Sequence, residues 1–514
     1  MTTYAAVDIG SNSCRLKIAG VQNHRLRTLH EDREVTRLGE SVFESGMVSP
    51  EAMANTIRAL RRFHKAVQMH AVDRLRVVAT SAMRDARNQQ AFLSWVHSAT
   101  GWKVEIISGL EEGKLIHLGV VSNEPGARGR CLLVDLGGGS CEITLSEQGR
   151  IREMVSLPLG AVRLTSEFLR HDPPKSEEIA RMRQFLQREL RRAERKLDGH
   201  SVRTVYATSG TAAALAETIR VGIKGKRRVA TQRAKTEQTK TELVRKLTEK
   251  LTRMPDAQRA MVAGIGPRRS EIIVAGANVY AALLERLHLP GFRYSPMGLR
   301  DGVLVLMHAE TEQRTSAHHR FEEERWASVV ELCRHYGGDP KRAEPVRAHA
   351  AQLFEDLRRM HELPEGYQVW LEAAAMMYET GKFMNYLGHH RHTQYIIANS
   401  ELYGFTPEQR LITSAIARYI GKSRPNANDR VMRCIPLQEH RYVQRAVVLL
   451  RLAVALHQDR VSDVLRVRTR VYPKRVLLEI TPGRTGAELE LWSLRKEAAY
   501  FREVFGRDLL TELA

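Results

Sequence analysis

The stretch Cys131-Leu132-Leu133-Val134-Asp135-Leu136-Gly137-Gly138-Gly139-Ser140-Cys141-Glu142-Ile143 reads as a strand, a glycine turn and a second strand. The first strand delivers one carboxylate, Asp135, to the turn, and the second leaves through Ile143 and Leu145. Glycines let backbone N–H groups converge without Cβ interference, which suits an anion such as phosphate. An acid beside such a nest needs a divalent cation, or a water to be activated, between them. The same device stands near the N-terminus, in Tyr4-Ala5-Ala6-Val7-Asp8-Ile9-Gly10-Ser11-Asn12-Ser13, followed by Leu16 and Ile18. Asp8 and Asp135 are 127 positions apart (135 − 8). Ala79-Thr80-Ser81 and Ala207-Thr208-Ser209 keep nearly that offset, each after a short apolar run and before a helical pattern. Four elements in register predict a duplicated domain with phosphate held between its halves.

The chain has 514 residues, and at roughly 150 residues per domain this suggests about three domains. Its 43% hydrophobic content suffices for proper cores, and no stretch approaches the roughly 18 consecutive apolar residues of a membrane span. Met1-Thr2-Thr3 runs straight into a strand, without the basic and apolar regions of a signal peptide. Five cysteines without CxxC spacing read as reduced thiols of a cytoplasmic protein. Cys14 and Cys141 lie near the loops but occupy strand positions, where core packing is their expected role. The formal charge of +21 predicts polyanion affinity. Aromatic content of 6% without aromatic–basic interleaving argues against base stacking. A backbone-like polyanion therefore fits better than a specific nucleic acid, and a merely basic surface is the plainer alternative.

In chain order, Arg33, Arg37 and Gly39 fall in a strand-like stretch where an arginine could face the cleft. Pro50 to Ala71 carries Met53, Ile57, Leu60 and Phe63 or His64 at helical spacing. Thr80-Ser81 opens a helix containing Arg84, and such capped starts with free N–H groups form anion sites. Val104 to Ile107 runs into Ser108-Gly109-Leu110-Glu111-Glu112-Gly113. Two acids in a first turn complement the helix dipole, and one of them would also reach the cleft. Asn123 to Arg130 is the crossing into the second half. Ser176 to Leu197 is a long helix bearing Arg181, Arg183, Arg188, Arg191, Arg192, Arg195 and Lys196. Val202–Ala207 predicts a strand, Thr208-Ser209-Gly210-Thr211 a loop, and Ala212 the start of a helix; Lys224 to Lys235 is a basic loop. Ser295 to Gly302 reads as a turn. From about residue 310 amphipathic helices dominate, ending in a short β segment near Val467–Ile480.

With these residues laid out, the chain resembles the exopolyphosphatase/guanosine pentaphosphate phosphohydrolase family of the actin-like ATPase superfamily. The resemblance rests on Asp8–Ser13, Ser108-Gly109-Leu110-Glu111-Glu112, Asp135–Ser140, Ser209-Gly210-Thr211 and Gly298-Leu299-Arg300-Asp301-Gly302, and covers essentially the whole chain. It implies an α/β fold of duplicated actin-like (ribonuclease H-like) domains, residues 1–125 and 126–309, with an interdomain cleft. A mainly α-helical, HD-like C-terminal domain, residues 310–514, would follow. The implied activity is release of terminal orthophosphate from inorganic polyphosphate with Mg2+, or Mn2+ in its place. Glu112 resembles the family's catalytic glutamate and would activate the water. Asp8 and Asp135, with Glu112, would hold the metal or position that water. Gly10, Ser11, Asn12, Ser13, Gly137, Gly138, Gly139 and Ser140 would bind phosphoryl oxygens, and Arg84 with Ser209, Gly210 and Thr211 would extend the grip; Arg300 is a further candidate.

Guanosine pentaphosphate is the competing substrate, but no residues diagnose a guanine pocket, whereas the charge and the helix Arg181–Lys196 supply a track for polyphosphate. A non-catalytic polyphosphate or nucleotide sensor, and a sugar kinase of the same superfamily, are the readings from other classes. The HD-like domain looks degenerate. His349 could be a first metal ligand, but the His-Asp pair position reads Tyr378-Glu379, and Ala453 and Leu456 stand where a late aspartate is sought, with Asp459 just beyond. His389-His390-Arg391-His392 is a candidate polyanion contact. The expectation is a domain without hydrolysis of its own that lengthens the polyphosphate surface, at a homodimer interface and away from any membrane.

Overall fold

The strand that carries Asp8 is apolar on both faces, and such strands belong in the middle of a sheet. In the computed structural model it does lie there. The structure describes residues 2–22, 25–198, 200–224, 238–311, 316–400, 402–458, 464–482 and 486–513. The first sheet contains β1 (Thr3–Ile9), β2 (Ser13–Gln22), β3 (Arg25–Val35), β4 (Arg74–Ala79) and β5 (Val104–Ile106), in the order β3-β2-β1-β4-β5. Its first three strands are antiparallel and the last two run parallel to β1.

The second sheet repeats this plan. β6 (Cys131–Leu136), β7 (Cys141–Glu147) and β8 (Arg150–Leu157) form the antiparallel part. β9 (Val205–Thr208), β10 (Thr239–Lys240) and β11 (Gly291–Tyr294) complete the order β10-β11-β9-β6-β7-β8, with β9 parallel to β6 and β11 parallel to β9. Asp8 and Asp135 are the last residues but one of the equivalent central strands, β1 and β6, so the spacing in the sequence is a true structural repeat.

Helices cover the sheets by burying one face each. Pro50–Met69, capped by the Ser49 side chain, buries Met53, Ile57, Leu60 and Phe63. Ser176–Leu197 buries Ile179, Met182, Leu186 and Leu190, which leaves Arg181, Arg188, Arg191, Arg192 and Arg195 in solvent. The helix Leu299–Thr311 follows the second sheet in sequence but packs on β1 and on the helix Gly109–Asn123. The crossing is close: a Cβ on Gly302 would stand 1.8 Å from the Leu115 carbonyl oxygen. The same helix start is pinned to β2, because Lys17 Nζ lies 2.7 Å from Asp301 Oδ1 and Arg300 donates to the Leu16 carbonyl at 2.9 Å.

Contacts divide the chain into Met1–His318 and His319–Ala514, against the sequence boundary near 310. In the second unit, Pro340–Asp356, Gly366–Met377, Pro407–Arg418 and His440–Ala455 surround one core. β12 (Arg466–Val471), β13 (Arg475–Thr481) and β14 (Asp508–Leu513) make a small sheet. The β segment expected at the end is therefore followed by the helix Glu488–Phe505 and by β14, which pairs parallel to β13.

Local boundaries differ from expectation in three places. Gly39 is helical, in Leu38–Ser45, and Arg37 before it has a left-handed backbone with φ 49°. Ser209–Thr211 is the first turn of the helix Ser209–Lys224, not a loop before it. Leu299–Gly302 likewise opens a helix. Glycine and serine signal a turn in sequence, but at a helix start the unpaired N–H groups accept the same residues. Residues 225–237, most of the basic loop, and Asp459 lie outside the described residues. Among the described residues no helix is long and apolar enough to cross a membrane.

Gly302→Ala should force the two crossing helices apart and lower stability by about 1–3 kcal/mol, the usual cost of overpacking. A Cβ on Gly298 meets nothing within 4 Å, so Gly298→Ala is the control. Thermal melts of both variants should show a drop of several degrees for the first only; equal melts would refute the close crossing.

Candidate active site

Asp135 is the last residue but one of β6, and directly opposite it on β7 stands Glu142. Residues facing each other across an antiparallel pair point to the same side of the sheet. The third acid comes from the helix Gly109–Asn123, where Ser108 Oγ accepts the Glu111 N–H at 3.1 Å and so sets the first turn. That turn sends the two adjacent acids different ways: Glu111 lies 3.6 Å from Arg76, and Glu112 is buried. One carboxylate oxygen from each of Glu112, Asp135 and Glu142 lies within 4.8 Å of the others, which makes a set that could hold a metal ion. The metal set expected from sequence is Asp8, Glu112 and Asp135; of the three acids whose oxygens gather here, Glu112 and Asp135 line the cleft between the sheets and Glu142 does not. Asp8 lines the same cleft, with a buried Oδ1 that has no hydrogen-bond partner.

Neighbours partly answer these charges. Asp135 Oδ1 accepts the Thr208 hydroxyl. Glu142 Oε1 accepts Ser156 Oγ at 2.8 Å, while its buried Oε2 has no partner. Arg84 Nη1 donates to Glu112 Oε2 at 3.0 Å and to the Ile107 carbonyl at 2.8 Å, and Nη2 reaches Ser140 Oγ at 3.3 Å. Burial still holds the Glu112 carboxyl above its ordinary value; Arg84 pulls it down, and Asp135 and Asp8 push it up. Burial raises Asp135 and Asp8 as well, with Arg15 opposing in both. Glu142 is raised by burial and then by Glu112 and Asp135. Acids this close and this dry must retain protons or share a cation.

Both glycine turns have the same bond, from Gly10 N to Ser13 O at 3.2 Å and from Gly137 N to Ser140 O at 3.0 Å. Their other carbonyls are held by the protein. Ser11 O accepts Gly39 N, Asn12 O accepts Thr36 N and Arg37 N, and Gly138 O accepts Val162 N and Arg163 N. In a trans peptide the next N–H points the opposite way, so these bonds turn loop N–H groups toward the cleft.

The cleft between the sheets holds about 870 Å³. Asp8, Glu112, Asp135, the loops Gly10–Ser13 and Gly137–Ser140, and the turn Ser209–Thr211 all line it. Arg84 does not line it and acts from behind, through Glu112 and Ser140. Elsewhere the lining carries Lys17 and five arginines beside the acids Glu31, Asp32, Glu217 and Asp301. Arg15 and Arg33 oppose each other across β2 and β3, and Arg268, Arg269 and Arg300 join them. Burial pushes Arg33 down to about 10, and Arg15, Arg268 and Arg300 push the same way. Arg269 falls to about 9 through burial, then Arg33 and Arg15. Arg33 Nε and Nη2 are buried without a partner. Arg269 covers Gly210, where a Cβ would lie 1.5 Å from Nη2. Facing like charges destabilise a sheet unless something anionic joins them.

Sequence reasoning named Arg33, Arg37 and Arg300 as candidates but passed over Arg15, Arg268, Arg269 and Glu142. Arg37 instead pairs with Glu271, at 2.8 Å. Glu142 was accessible in principle, since a four-residue turn places it across from Asp135. The arginine-rich helix Ser176–Leu197 contributes nothing to the cleft lining. In the second unit His349 is buried and its imidazole is pushed down to about 4 by burial and by His457. Among the described residues, three possible metal ligands come together only at Glu112, Asp135 and Glu142.

A raised folded-state pKa adds stability below the ordinary glutamate value of about 4.3 and loses it as pH climbs through the folded value. Glu142→Gln removes that loss. In chelator, the melting temperature of the variant minus that of the native chain should therefore grow as pH rises from about 4.3; a difference flat with pH would refute the perturbed carboxyl.

Sequence comparison matches the Ppx/GppA phosphatase family over residues 17–310 and domain III of the same family over residues 325–498. Among solved structures, an exopolyphosphatase from Cytophaga hutchinsonii is 25% identical with a TM-score of 0.56, over 60% of this chain and 98% of its own. The Aquifex aeolicus Ppx/GppA family member is 30% identical with a TM-score of 0.52, over 60% of this chain and 99% of its own. An exopolyphosphatase-like protein is 30% identical with a TM-score of 0.55, over 59% and 96%. With a pair of actin-like α/β domains, a helical third domain and these matches, the chain belongs to the Ppx/GppA phosphatase family.

Proposed function

We propose that the protein is an exopolyphosphatase, which hydrolyses the terminal phosphoanhydride bond of inorganic polyphosphate and releases orthophosphate. The observation that carries this is the juxtaposition in one cleft of the acids Glu112 and Asp135 with a cluster of arginines, of which Arg33 has Nε and Nη2 buried without a partner. A terminal phosphoryl group belongs with the acids and the loop N–H groups, and the phosphates behind it belong with the arginines.

Glu112 accepts a proton from the attacking water, for which burial gives it more basicity than an exposed glutamate. Arg84 orients it. The water oxygen bonds to the terminal phosphorus, the bridging P–O bond breaks, and the shortened chain leaves with the electron pair. The loops Gly10–Ser13 and Gly137–Ser140 and the hydroxyls of Ser11, Ser13 and Ser140 hold the phosphoryl oxygens. Asp8 offers another acceptor on the cleft wall. Glu112, Asp135 and Glu142 suit Mg2+, or Mn2+ in its place, which when bound supplies charge neutralisation at those oxygens.

One observation favours the second substrate, guanosine pentaphosphate: Tyr294 lines the cleft beside Arg15 and Arg269 and offers an aromatic face. A pure sensor has no need of the raised Glu112 carboxyl. The arginines of Ser176–Leu197 would carry a long chain beyond the cleft. The third domain, without a metal-ligand set of its own among the described residues, would lengthen that surface in a homodimer. All five cysteines are free thiols, which suits the proposed cytoplasmic location.

Glu112→Gln should cut orthophosphate release by roughly 10²–10⁴, the usual worth of a general base, and leave polyphosphate retention on a filter intact. Long polyphosphate and guanosine pentaphosphate, assayed side by side, decide the substrate, and release from neither would overturn the proposal. Arg33→Ala with Arg269→Ala should raise KM for long chains and flatten its dependence on salt, since each phosphate contact displaces counterions. An unchanged salt slope would remove the arginine wall from substrate binding.

A further inference from the structure

Arg163 stands in the first turn of the helix Ala161–Phe168, in the second half, and is absent from the cleft lining. Its backbone N–H donates to Gly138 O at 3.0 Å and its Nε to Gly139 O at 2.8 Å. One residue therefore holds two consecutive carbonyls of the glycine turn. The other edge of the guanidinium reaches the first half, where Nη2 donates to Ser81 Oγ at 3.2 Å and to the Asp85 carboxylate. Its face lies 4.2 Å from the centre of the Phe43 ring. The surroundings are tight: a Cβ on Gly139 would meet Ser81 Oγ at 2.3 Å and Phe43 Cζ at 2.6 Å.

We propose that Arg163 is a positioning residue for this site. By tying the Gly139 carbonyl to Ser81, Asp85 and Phe43 it fixes the Gly137–Ser140 loop against the opposite half. The proposal rests on the phosphohydrolase function above. The planar fork of a guanidinium serves acceptors in several directions at once, which a lysine cannot. Each held carbonyl aims the following N–H, of Gly139 and then of Ser140, toward the cleft. Ser140 is also the residue that Arg84 touches while holding Glu112. The loop that grips the phosphoryl group and the carboxylate that activates water are thereby registered to each other across the two halves.

The test is Arg163→Ala in the full chain, with Arg163→Lys beside it. A misplacement of about 1 Å costs on the order of 10² in rate, so kcat for phosphate release should fall roughly 10- to 100-fold. KM should stay within about threefold of the native value, because the ground-state contacts to the chain remain. Millimolar guanidinium should recover part of the Arg163→Ala loss, Arg163→Lys should recover little, and amide exchange at Gly139 and Ser140 should accelerate. A kcat within about twofold of native, or a raised KM at native kcat, would overturn the proposal. So would a loss that only tracks the unfolded fraction seen by circular dichroism. If the native chain releases phosphate from neither substrate, the proposed function fails by itself, and amide exchange still decides whether Arg163 fixes the loop.

Discussion

Holding three carboxylates, two buried and that of Asp135 half-buried, with oxygens within 4.8 Å is the constraint that the first unit is built to meet. Such groups repel one another and lose hydration, and so each is raised toward its protonated form. Keeping them together requires backbone that cannot drift apart. The β6–β7 register fixes Asp135 against Glu142, and the Ser108 cap fixes the turn that carries Glu112. The helix behind Glu112 is locked by its crossing with Leu299–Thr311, whose start Lys17 pins to β2 through Asp301. Arg84, Thr208 and Ser156 then offset part of the charge without filling the space between the acids.

The arginine wall sets the same problem with the opposite sign. Arg15 faces Arg33 across one pair of strands and Asp8 across another. The arginines and the acids share the cleft, and Arg15 offsets part of the charge of Asp8 and Asp135 while burial still holds both carboxyls above their ordinary values. Binding of an anion among the arginines and of a cation among the acids would lower both costs. In the glycine turns the carbonyls of Ser11, Asn12 and Gly138 are satisfied by the protein.

The second unit contrasts with the first. Its core is continuous, and the histidines buried in it are His349, His361 and His457, with His457 beside His349. Tyr378 stands buried where the sequence pattern sought a histidine.

Much of the first unit was legible because its signals are local. Apolar runs ending in Asp8 and Asp135, the glycine turns after them and the recurrence of Thr-Ser starts each depend on a few adjacent residues. Strand, turn and cap preferences act over that distance, and a repeat doubles the signal. The domain repeat, the cleft, and the presence in it of Asp8, Glu112, Asp135 and the three turns were therefore readable. Helix boundaries at Ser209 and Leu299 were not, since a capped start and a loop share the same residues. The gathering of Arg15, Arg33, Arg268, Arg269 and Arg300 had no local mark among 80 lysines and arginines. It depends on the pairing of β2 with β3 and on segments more than 200 residues away. The most conspicuous basic run, Arg181–Lys196, lies outside the cleft because its apolar stripe has to face the second sheet, turning its charges to solvent. Residue type and spacing determined what chemistry the chain carries; which charges meet was decided by the tertiary fold, since long-range electrostatics follow distance in space and not along the chain.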